Sequence, residues 1–367
     1  MGQVREAMIV AGGAGTRLLP LTATTPKPLL PFCGAPFLVG VIRRLAAVGV
    51  ERVLLVVGAD TAPFAPLVDE GRRHGVGVET VPEPEPLDTA GGVRSALDAV
   101  SGTFLVLNGD ILTDVDLAGA IAAHRRAAAA ATLVLARVED TTTYGVCVRD
   151  GTRIVAFVEK PAPGELPGQD TVNAGTYVLE PAALERFPEG PLSFERDVFP
   201  GLVEVGARVE GFVGDGVWAD LGTPGRFLAG HWAALDGDLR WPTLDDVPAG
   251  ADGVRRSEGV RVADDAVLRP PLLLLADATI GSRAEVGPHV VVGRDAVVGE
   301  AAQVADSVLF DGASVAARAH VSGAILGAGA TVGAAAILAR GVVVGDRYAV
   351  PDGAEPAPGT RLPSGEA

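Results

Sequence analysis

The carboxy-terminal third of the chain carries a six-residue repeat, a period that few folds can accommodate. Apolar residues recur at every sixth position, the first four each followed by Gly, at Ile280, Val286, Val292, Val298 and Val304, and again at Val332, Leu338 and Val344. In a β-helix, three such hexapeptides make one triangular coil, and stacked coils bury a continuous core. The repeat therefore predicts a left-handed parallel β-helix over residues 259–350.

The repeat is interrupted between its two regular blocks. The six-residue step slips at Phe310 to Val315 and again at Val321 to Leu326. Roughly ten to twelve hexapeptides predict about four coils, more than the three repeats that a stable stack needs. Residues 351–367 are rich in Pro and Gly, and they are predicted to be a loose tail.

The amino-terminal part has a different pattern, in which short apolar runs alternate with amphipathic stretches of helical length. Strands are predicted at 7–11, 53–57, 76–81 and 103–107, and helices near 37–48, 63–73, 89–99 and 116–128. The alternation predicts an α/β fold of the Rossmann-like type, with a mainly parallel sheet covered on both faces and made mixed by further strands over 132–180. Ligands of such sheets bind at the carboxyl ends of the strands, where residues 11–17 and 108–110 fall.

These patterns divide the chain into four segments. Residues 1–235 form a first domain, 236–258 an Asp-, Pro- and Gly-rich linker, 259–350 the β-helix and 351–367 the tail. Within the first domain, Thr223 and Pro224 predict the start of a helix, because Thr is a good N-cap and Pro is favoured at the first helical position.

Composition excludes several classes of partner. The 367 residues include 30 basic and 46 acidic side chains, for a formal charge of −16, so neither nucleic acid nor an anionic membrane is predicted as a partner. Cys33 and Cys147 are the only cysteines, too few for a disulfide framework. The amino terminus lacks the pattern of a signal peptide, and no apolar run reaches the ~18 residues of a membrane span. A cytoplasmic location is therefore expected.

Lysine and asparagine are so scarce in this Arg-rich chain that their positions are informative. The only lysines are Lys27 and Lys160, and the only asparagines are Asn108 and Asn173. Arg is not an equivalent replacement for the compact ammonium of lysine, and Asp does not reproduce a neutral amide. We therefore interpret all four as functional positions.

A glycine-rich segment follows the first predicted strand. It reads AGGAGTR over residues 11–17, a backbone that can approach phosphates closely and present consecutive N–H groups to them. The P-loop pattern is absent because no Gly-Lys-Ser/Thr follows, and the dinucleotide fingerprint is absent because no third Gly stands at the required spacing. Taken alone, these glycines could equally form an ordinary turn.

The longer segment GGAGTRLLPLTATTPKPLLP, residues 12–31, resembles the signature loop of the sugar-1-phosphate nucleotidyltransferases, also called nucleotide-sugar pyrophosphorylases. The rest of that family's pattern follows in order, as PLDTAGGVRSAL (86–97), LNGD (107–110), YGV (144–146), FVEKP (157–161), NAGTYVLEP (173–181), SFERDVFP (193–200) and WADLGTP (218–224). Many members also carry a β-helix. Among the branches of the family, these motifs are most similar to those of the mannose-1-phosphate guanylyltransferases.

The resemblance implies transfer of a nucleotidyl group from GTP to α-D-mannose 1-phosphate, with release of pyrophosphate. The attacking phosphate is already ionised at pH 7, so this chemistry needs positioning and charge neutralisation rather than a general base. Arg17 and Lys27 would hold the triphosphate, Lys160 would orient the sugar phosphate, and Asp110 and Asp220 would bind Mg²⁺.

The resemblance also implies two sets of binding residues. The nucleotide set is Ala11, Gly12, Gly13, Gly15, Thr16, Arg17, Lys27, Glu83, Asp88, Thr89, Gly91, Asn108 and Gly109. The set for the sugar phosphate is Gly145, Glu159, Lys160, Asn173 and Gly175.

Three positions bear on specificity. Leu19 stands where a basic residue is common in the family, so one positive charge expected near the triphosphate is missing. Asp88 stands where Gly is usual, and its carboxylate could accept guanine N–H groups, contact a substrate hydroxyl or be neutral variation. Glu83 is a candidate acceptor for the N1–H and N2–H₂ groups of guanine, whereas thymine offers one such donor, which favours GTP over dTTP.

Other functions remain open at this point. The same chemistry could use dTTP and glucose 1-phosphate, or GTP and a heptose or cyclitol 1-phosphate. A catalytically silent regulatory subunit would be expected to have lost Arg17, Lys27, Asp110 or Asp220, and all four are present. The β-helix is predicted to join copies of the chain through its flat faces into a homo-oligomer.

Overall fold

The computed structural model describes residues 3–138, 140–142, 145–159, 161–166, 168 and 170–363. The chain divides into two units, the first built from Met1–Gly13 and Val41–Trp218 and the second from Ala14–Gly40 and Ala219–Ala367. Residues 14–40 and 219–235, which the sequence pattern assigned to the first domain, therefore share a unit with the β-helix.

The strands up to residue 220 are β1 (Glu6–Val10), β2 (Pro31–Phe32), β3 (Ala35–Pro36), β4 (Arg52–Gly58), β5 (Gly77–Glu83), β6 (Phe104–Asn108), β7 (Ile111–Thr113), β8 (Ala131–Arg137), β9 (Gly145–Asp150), β10 (Arg153–Glu159), β11 (Thr171–Leu179), β12 (Val209–Val213) and β13 (Trp218–Asp220). The α-helices of the described residues are α1 (Phe37–Ala47), α2 (Ala65–Arg73), α3 (Asp88–Ser95), α4 (Leu117–Ala127), α5 (Ala182–Glu185), α6 (Phe199–Glu204) and α7 (Pro224–Asp236). Every strand and helix predicted before residue 131 is present, with ends shifted by at most about four residues. In the described part of the chain, no helix combines the length and apolarity needed to cross a bilayer.

Nine strands among the described residues of the first unit form one sheet, in the order β5-β4-β1-β6-β11-β8-β12-β10-β9. The strands β5, β4, β1 and β6 are parallel, whereas β11 is antiparallel to both β6 and β8. The residues of β4 from Val53 to Val57 are all apolar and buried, as a parallel strand covered on both faces requires. The predicted α/β fold with a mixed sheet is confirmed.

Helix α7 begins where the sequence predicts. Thr223 is its N-cap, and the Thr223 hydroxyl accepts a hydrogen bond from the Arg226 N–H at 3.4 Å. Gly237 ends the helix in the left-handed region, with φ of 85°, which satisfies the usual requirement of a helix C-terminus.

The second unit contains a parallel β-helix with three faces. The first face is β14 (Val254–Arg256), β17 (Leu272–Leu274), β20 (Val290–Val292), β23 (Val308–Leu309), β26 (Ile325–Leu326), β29 (Val343–Val344) and β31 (Arg361–Leu362). The second face is β15 (Arg261–Val262), β18 (Thr279–Ile280), β21 (Val297–Val298), β24 (Ser314–Val315), β27 (Thr331–Val332) and β30 (Ala349–Val350). The third face is β16 (Val267–Leu268), β19 (Glu285–Val286), β22 (Gln303–Ala305), β25 (His320–Ser322) and β28 (Ile337–Leu338).

The β-helix is longer than the four coils predicted from the repeat. Its first face begins at Val254, in the predicted linker, and ends at Leu362, in the predicted tail. Strands β14 to β28 make five complete coils of the described residues, and β29 to β31 continue the stack. The prediction was short because residues 254–274 lack the regular step of an apolar residue followed by Gly.

Each of the two slips in the repeat shortens a coil by one residue relative to the regular coils of 18 residues. Val254 lies opposite Leu272, whereas Val291 lies opposite Val308, so a coil of 18 residues becomes one of 17. Leu309, rather than Phe310, faces the interior after Val304, so the first slip lies one step earlier than predicted. The second slip, from Val321 to Leu326, is confirmed.

The outward side chains of the first face are buried rather than exposed. We call Leu273, Val291, Val308, Ile325 and Val343 the covered row, because each is at most 3% exposed. Pro31, Cys33 and His231 line a small cavity together with members of this row, so the 14–40 segment and α7 pack on it within the second unit. Arg255 and Arg361 continue the row at its two ends.

Candidate active site

In the first unit, the glycine-rich loop leaves the carboxyl end of β1. The Ala11 N–H donates to the Val56 carbonyl at 2.7 Å, which fixes the start of the loop on the neighbouring strand. Gly12 and Gly13 are exposed, and a Cβ at Gly13 would meet no atom of the described residues within 4 Å. The loop therefore offers open backbone that a ligand can approach.

Glu83 ends β5 and brings a carboxylate against this loop. Its side chain lies between two glycines: a Cβ at Gly12 would be 2.9 Å from Oε2, and a Cβ at Gly92 would overlap Oε1. Glu83 is 8% exposed, and its Oε1 has no hydrogen-bond partner among the described residues. Burial raises the pKa of the carboxyl group, and a backbone hydrogen bond from Leu87 opposes the shift. A buried acceptor without a partner costs free energy, so Glu83 Oε1 has acceptor capacity that a ligand could use.

Helix α3 contains two neighbouring glycines with different surroundings. The Gly91 N–H donates to the Leu192 carbonyl at 3.1 Å, and a Cβ at Gly91 would lie 2.5 Å from the Gly190 carbonyl oxygen. The structure thus gives Gly91 a packing role, and its contact with a nucleotide stays a prediction. Gly92, which the sequence analysis did not single out, is the glycine that adjoins Glu83.

Asn108 ends β6 and lies against Gly175 of β11. Gly175 has φ of 69°, and a Cβ there would be 2.6 Å from Asn108 Nδ2, so only Gly leaves room for the amide. Asn108 Oδ1 is buried and has no hydrogen-bond partner in the described residues. The Gly109 N–H donates to the Val10 carbonyl at 2.8 Å and fixes the turn that leads into Asp110. The structure therefore brings a predicted nucleotide residue and a predicted sugar residue together.

Glu195 joins two predicted residues, Thr89 and Asn173, although the sequence analysis did not single it out. Its Oε2 accepts hydrogen bonds from the hydroxyls of Thr89 at 2.8 Å and Ser193 at 3.0 Å, and its Oε1 accepts from Asn173 Nδ2 at 3.4 Å. Asn173 Nδ2 also donates to the hydroxyl of Tyr177 at 2.8 Å, and burial raises the pKa of that phenol well above its usual value. The available signal was the SFERDVFP motif, which forms a π-helical turn over Phe194–Val198, a local structure frequent at functional sites.

In the second unit, the backbone at Gly15 lies close to Thr22 and Lys27. Its φ of 63° lies in the left-handed region, and its carbonyl accepts a hydrogen bond from the Thr22 hydroxyl at 2.9 Å. A Cβ at Gly15 would be 3.0 Å from the Cβ of Lys27. Thr16 and Arg17 follow in an exposed 3₁₀ turn. The side chains of Arg17 and Lys27 therefore extend from neighbouring parts of the backbone.

Asp220 gathers three cations within the second unit. Its oxygens lie 3.5 Å from Lys27 Nζ, 3.7 Å from Arg17 Nη2 and 3.0 Å from Arg226 Nη1. We call Arg17, Lys27, Asp220 and Arg226 the cationic cluster. Three cationic side chains are thus held close together on one carboxylate, and ammonium and guanidinium groups are the side chains that bind phosphate oxygens.

Two residues of this region escaped the sequence analysis. A Cβ at Gly222 would lie 2.6 Å from Arg17 Nη2 and 2.8 Å from Asp220 Oδ1, so a side chain there would displace the charged ends of both residues. Arg226 stands in the first turn of α7. The signal for both was the WADLGTP motif, which contains Gly222 and ends at the predicted start of α7.

The other predicted sugar residues are placed only in part. Gly145 begins β9 and lies opposite Glu159, the last residue of β10, in the register of an antiparallel pair. Lys160, and Tyr144 of the YGV motif, lie outside the described residues.

The Asp220 carboxylate could help to hold a divalent cation that is shared with phosphate. The described residues hold no group of three or more His, Cys, Asp or Glu side chains arranged around a metal position. Mg²⁺ usually takes only one or two carboxylates and completes its shell with substrate phosphates and water. Asp220, a hard oxygen donor among cations suited to phosphate, meets this requirement.

Comparison with protein families decides the class of the molecule. A family model described as nucleotidyl transferase matches residues 6–236. The chain belongs to the nucleotidyl transferase family. A second model, described as the GMPPB C-terminal domain, matches residues 268–355, within the β-helix.

Similar proteins place this nucleotidyl transferase more closely. It is 38% identical, over 280 residues and 75% of each chain, to a mannose-1-phosphate guanylyltransferase of Mycobacterium tuberculosis. It is 36% identical to the mannose-1-phosphate guanylyltransferase catalytic subunit beta of Danio rerio, over 61% of this chain and 63% of that protein. Among solved structures, HddC from Yersinia pseudotuberculosis is 27% identical with a TM-score of 0.54, over 62% of this chain and 98% of HddC, and it has also been solved in complex with GMP-PN.

Asp88, which stands where Gly is usual, has the backbone conformation of a glycine. Its φ is 63°, in the left-handed region, and Asp tolerates this region better than most residues. Its Oδ1 accepts a hydrogen bond from the Thr89 N–H at 2.7 Å, and its Oδ2 pairs with Arg196. In this nucleotidyl transferase, the Asp88 carboxylate is thus hydrogen-bonded to Thr89 and paired with Arg196.

Proposed function

We propose that this nucleotidyl transferase converts GTP and α-D-mannose 1-phosphate into GDP-mannose and pyrophosphate. The observation that carries the nucleotide assignment is the buried Glu83 carboxylate, whose Oε1 has no partner among the described residues. Guanine presents two adjacent donors, N1–H and N2–H₂, which an ionised carboxylate accepts together. The sugar assignment is supported by the relatives, several of which are named for mannose 1-phosphate.

In the proposed reaction, an oxygen of the sugar phosphate attacks the α-phosphorus of GTP. A new P–O bond forms as the bond from the α-phosphorus to the bridging oxygen of the β-phosphate breaks, and pyrophosphate leaves with that oxygen. Lys27 and Arg17 neutralise the charge that grows on the pyrophosphate. Asp220 holds both cations in place before the nucleotide binds, so little reorganisation is needed when it does.

Mg²⁺ is the metal that we propose for this reaction. Asp110 and Asp220 would hold it, as the family resemblance implies, and it would neutralise phosphate charge.

On the sugar side, we assign recognition of hydroxyls to Asn173 and the Asn108–Gly175 pair. We assign the sugar phosphate to Lys160.

The test is pyrophosphate release with Mg²⁺, measured for GTP, dTTP, UTP, CTP and ATP against mannose, glucose and heptose 1-phosphates. The largest kcat/KM is expected for GTP with mannose 1-phosphate. A maximum with GTP and the heptose phosphate would retain Glu83 as the base reader and replace the acceptor. A maximum with dTTP would contradict the role of Glu83, and no release for any pair would favour a regulatory subunit.

We also propose that the β-helix joins copies of the chain. Its first face is covered within the chain, whereas Val297 on the second face and Val267 and Ile337 on the third are 40–44% exposed. Ile337→Glu should lower the mass measured by light scattering, and Val205→Glu, at an exposed apolar residue of the first unit, should not. An unchanged mass for both would contradict this interface.

A cytoplasmic location stays a prediction.

A further inference from the structure

The last strand of the β-helix reaches back to the glycine-rich loop within the second unit. Arg361 lies in β31, opposite Val343 of β29. Its guanidinium donates hydrogen bonds to two main-chain carbonyls of the loop, that of Leu19 through Nη1 and that of Arg17 through Nη2 at 3.1 Å. One side chain therefore holds the backbone on both sides of Leu18, 342 and 344 residues away along the chain.

Two further contacts tie the same loop to the final coils. Asp346 Oδ2 accepts a hydrogen bond from the Thr24 hydroxyl at 2.5 Å, while its Oδ1 accepts from the Ala328 N–H at 2.8 Å. Pro20 lies so close to Gly345 that a Cβ there would be 3.0 Å from the proline ring. The backbone from Arg17 to Thr24 is thus held by the end of the β-helix at several points.

At the opposite end of the covered row, another arginine holds a different segment of the chain by hydrogen bonds to two main-chain carbonyls. Arg255 donates to the carbonyls of Leu244 at 3.1 Å and Val247 at 2.8 Å, in the segment that follows α7. Neither carbonyl belongs to a residue of the candidate site. Arg255 and Arg361 therefore share residue type and face, and each donates to two main-chain carbonyls, but they hold different segments.

We propose that Arg361 is a positioning residue, through which the last coil of the β-helix sets the affinity of the glycine-rich loop for the triphosphate. The inference rests on the proposed function. The carbonyls of Arg17 and Leu19 are the negative ends of peptide dipoles, and Arg361 holds them so that they do not turn toward a bound polyanion. It also fixes the backbone from which the Arg17 side chain reaches Asp220. Without Arg361, both carbonyls lose a charged partner, and the loop must be ordered when the nucleotide binds.

The experiment compares three full-length variants, Arg361→Ala, Arg361→Lys and the matched control Arg255→Ala. Pyrophosphate release gives kcat and the KM values for GTP and mannose 1-phosphate. Calorimetry gives Kd for Mg–GTP, and thermal unfolding gives Tm. Arg361→Ala should raise KM and Kd for the nucleotide roughly tenfold, and KM for the sugar phosphate less than about twofold. Arg361→Lys keeps the charge with a single donor centre, so it should recover part of the loss. Arg255→Ala should lower Tm without changing the nucleotide constants.

Equal nucleotide constants in Arg361→Ala and the wild type would overturn the proposal. So would equal increases in Arg361→Ala and Arg255→Ala, since these would report general loosening of the β-helix. If Arg361→Ala does not fold, Arg361→Lys decides, because unchanged nucleotide affinity in that variant contradicts a role for the paired donors. A wild-type chain that binds Mg–GTP but releases no pyrophosphate would refute the proposed function alone, and the calorimetric comparison would still test Arg361.

Discussion

Two carboxylates of the molecule, Glu83 at the end of β5 and Asp220 before α7, have opposite surroundings. Glu83 is 8% exposed, lies between two glycines and has no ion-pair partner among the described residues. Asp220 has a side chain 19% exposed and lies within 4 Å of three cations. Burial raises the pKa of the Glu83 carboxyl group, whereas the Asp220 carboxylate lies among positive charges.

We infer from this difference that the same functional group serves two tasks in the proposed reaction. A carboxylate without a cationic partner keeps its acceptor capacity for a ligand, so it can distinguish bases by their donors. A carboxylate that lies among several cations orients them, so it prepares a site for a polyanion without selecting among bases. We therefore expect substitutions near Asp220 to lower turnover for every nucleotide, and substitutions at Glu83 to change which nucleotide is preferred.

The largest expected effect is at Lys27. Lys27→Ala should lower kcat/KM roughly 10³-fold for all nucleotides alike, because in the proposed reaction it removes a buried positive charge that would neutralise the leaving pyrophosphate. The side chain is 9% exposed, so Lys27→Arg should recover little activity, since the larger guanidinium does not fit the space of an ammonium. Steady-state pyrophosphate release tests both variants, with circular dichroism as the check on folding. Activity within tenfold of the wild type in Lys27→Ala would contradict the assignment.

The next effect is a change of specificity at Glu83. Gln offers one acceptor and one donor, which match the Watson–Crick edge of thymine better than that of guanine. Glu83→Gln should therefore lower the ratio of kcat/KM for GTP to that for dTTP roughly 10- to 100-fold. Glu85→Gln, at an exposed glutamate of the same loop, is the matched control and should leave the ratio unchanged. A ratio that is the same in both variants would remove Glu83 from base recognition.

A smaller effect follows from the raised pKa of Glu83. Only the ionised carboxylate accepts both guanine donors, so KM for GTP should rise as the pH falls through this pKa, which lies above the usual glutamate value of about 4.3. The slope should approach roughly tenfold per pH unit below the pKa. A pH series of KM for GTP checks the slope, and Glu83→Gln should flatten it. A slope that persists in Glu83→Gln would assign the titration to another group.

The sequence predicts those parts of the molecule that repeat or that lie close together in the chain. The β-helix follows from its six-residue period, and the α7 cap follows from the adjacent Thr223 and Pro224. The shift of the first slip from Phe310 to Leu309 was not visible, because both residues are apolar and only coil geometry decides which faces inward.

Contacts between distant segments leave no such pattern. Glu195 contacts Thr89, 106 residues away, and Arg361 contacts Leu19 across 342 residues. Each is an ordinary charged residue in its own neighbourhood, so its role emerges only when the fold brings the segments together. Lysine scarcity singles out Lys27 from the sequence, because a rare residue type draws attention without any knowledge of its partners.

The smallest expected effect separates the three roles that the sequence left open for Asp88. Its carboxylate accepts from the Thr89 N–H and pairs with Arg196, whose side chain is 69% exposed, and such surface pairs contribute about 0–1 kcal/mol. Asp88→Gly keeps the left-handed backbone and removes only the carboxylate. We expect kcat/KM for GTP and for each sugar phosphate to stay within about twofold of the wild type, and the free energy of unfolding within about 1 kcal/mol. A selective loss for GTP would place Asp88 beside Glu83 as a reader of guanine. A selective loss for one sugar phosphate would show that this third carboxylate contacts a hydroxyl of the acceptor.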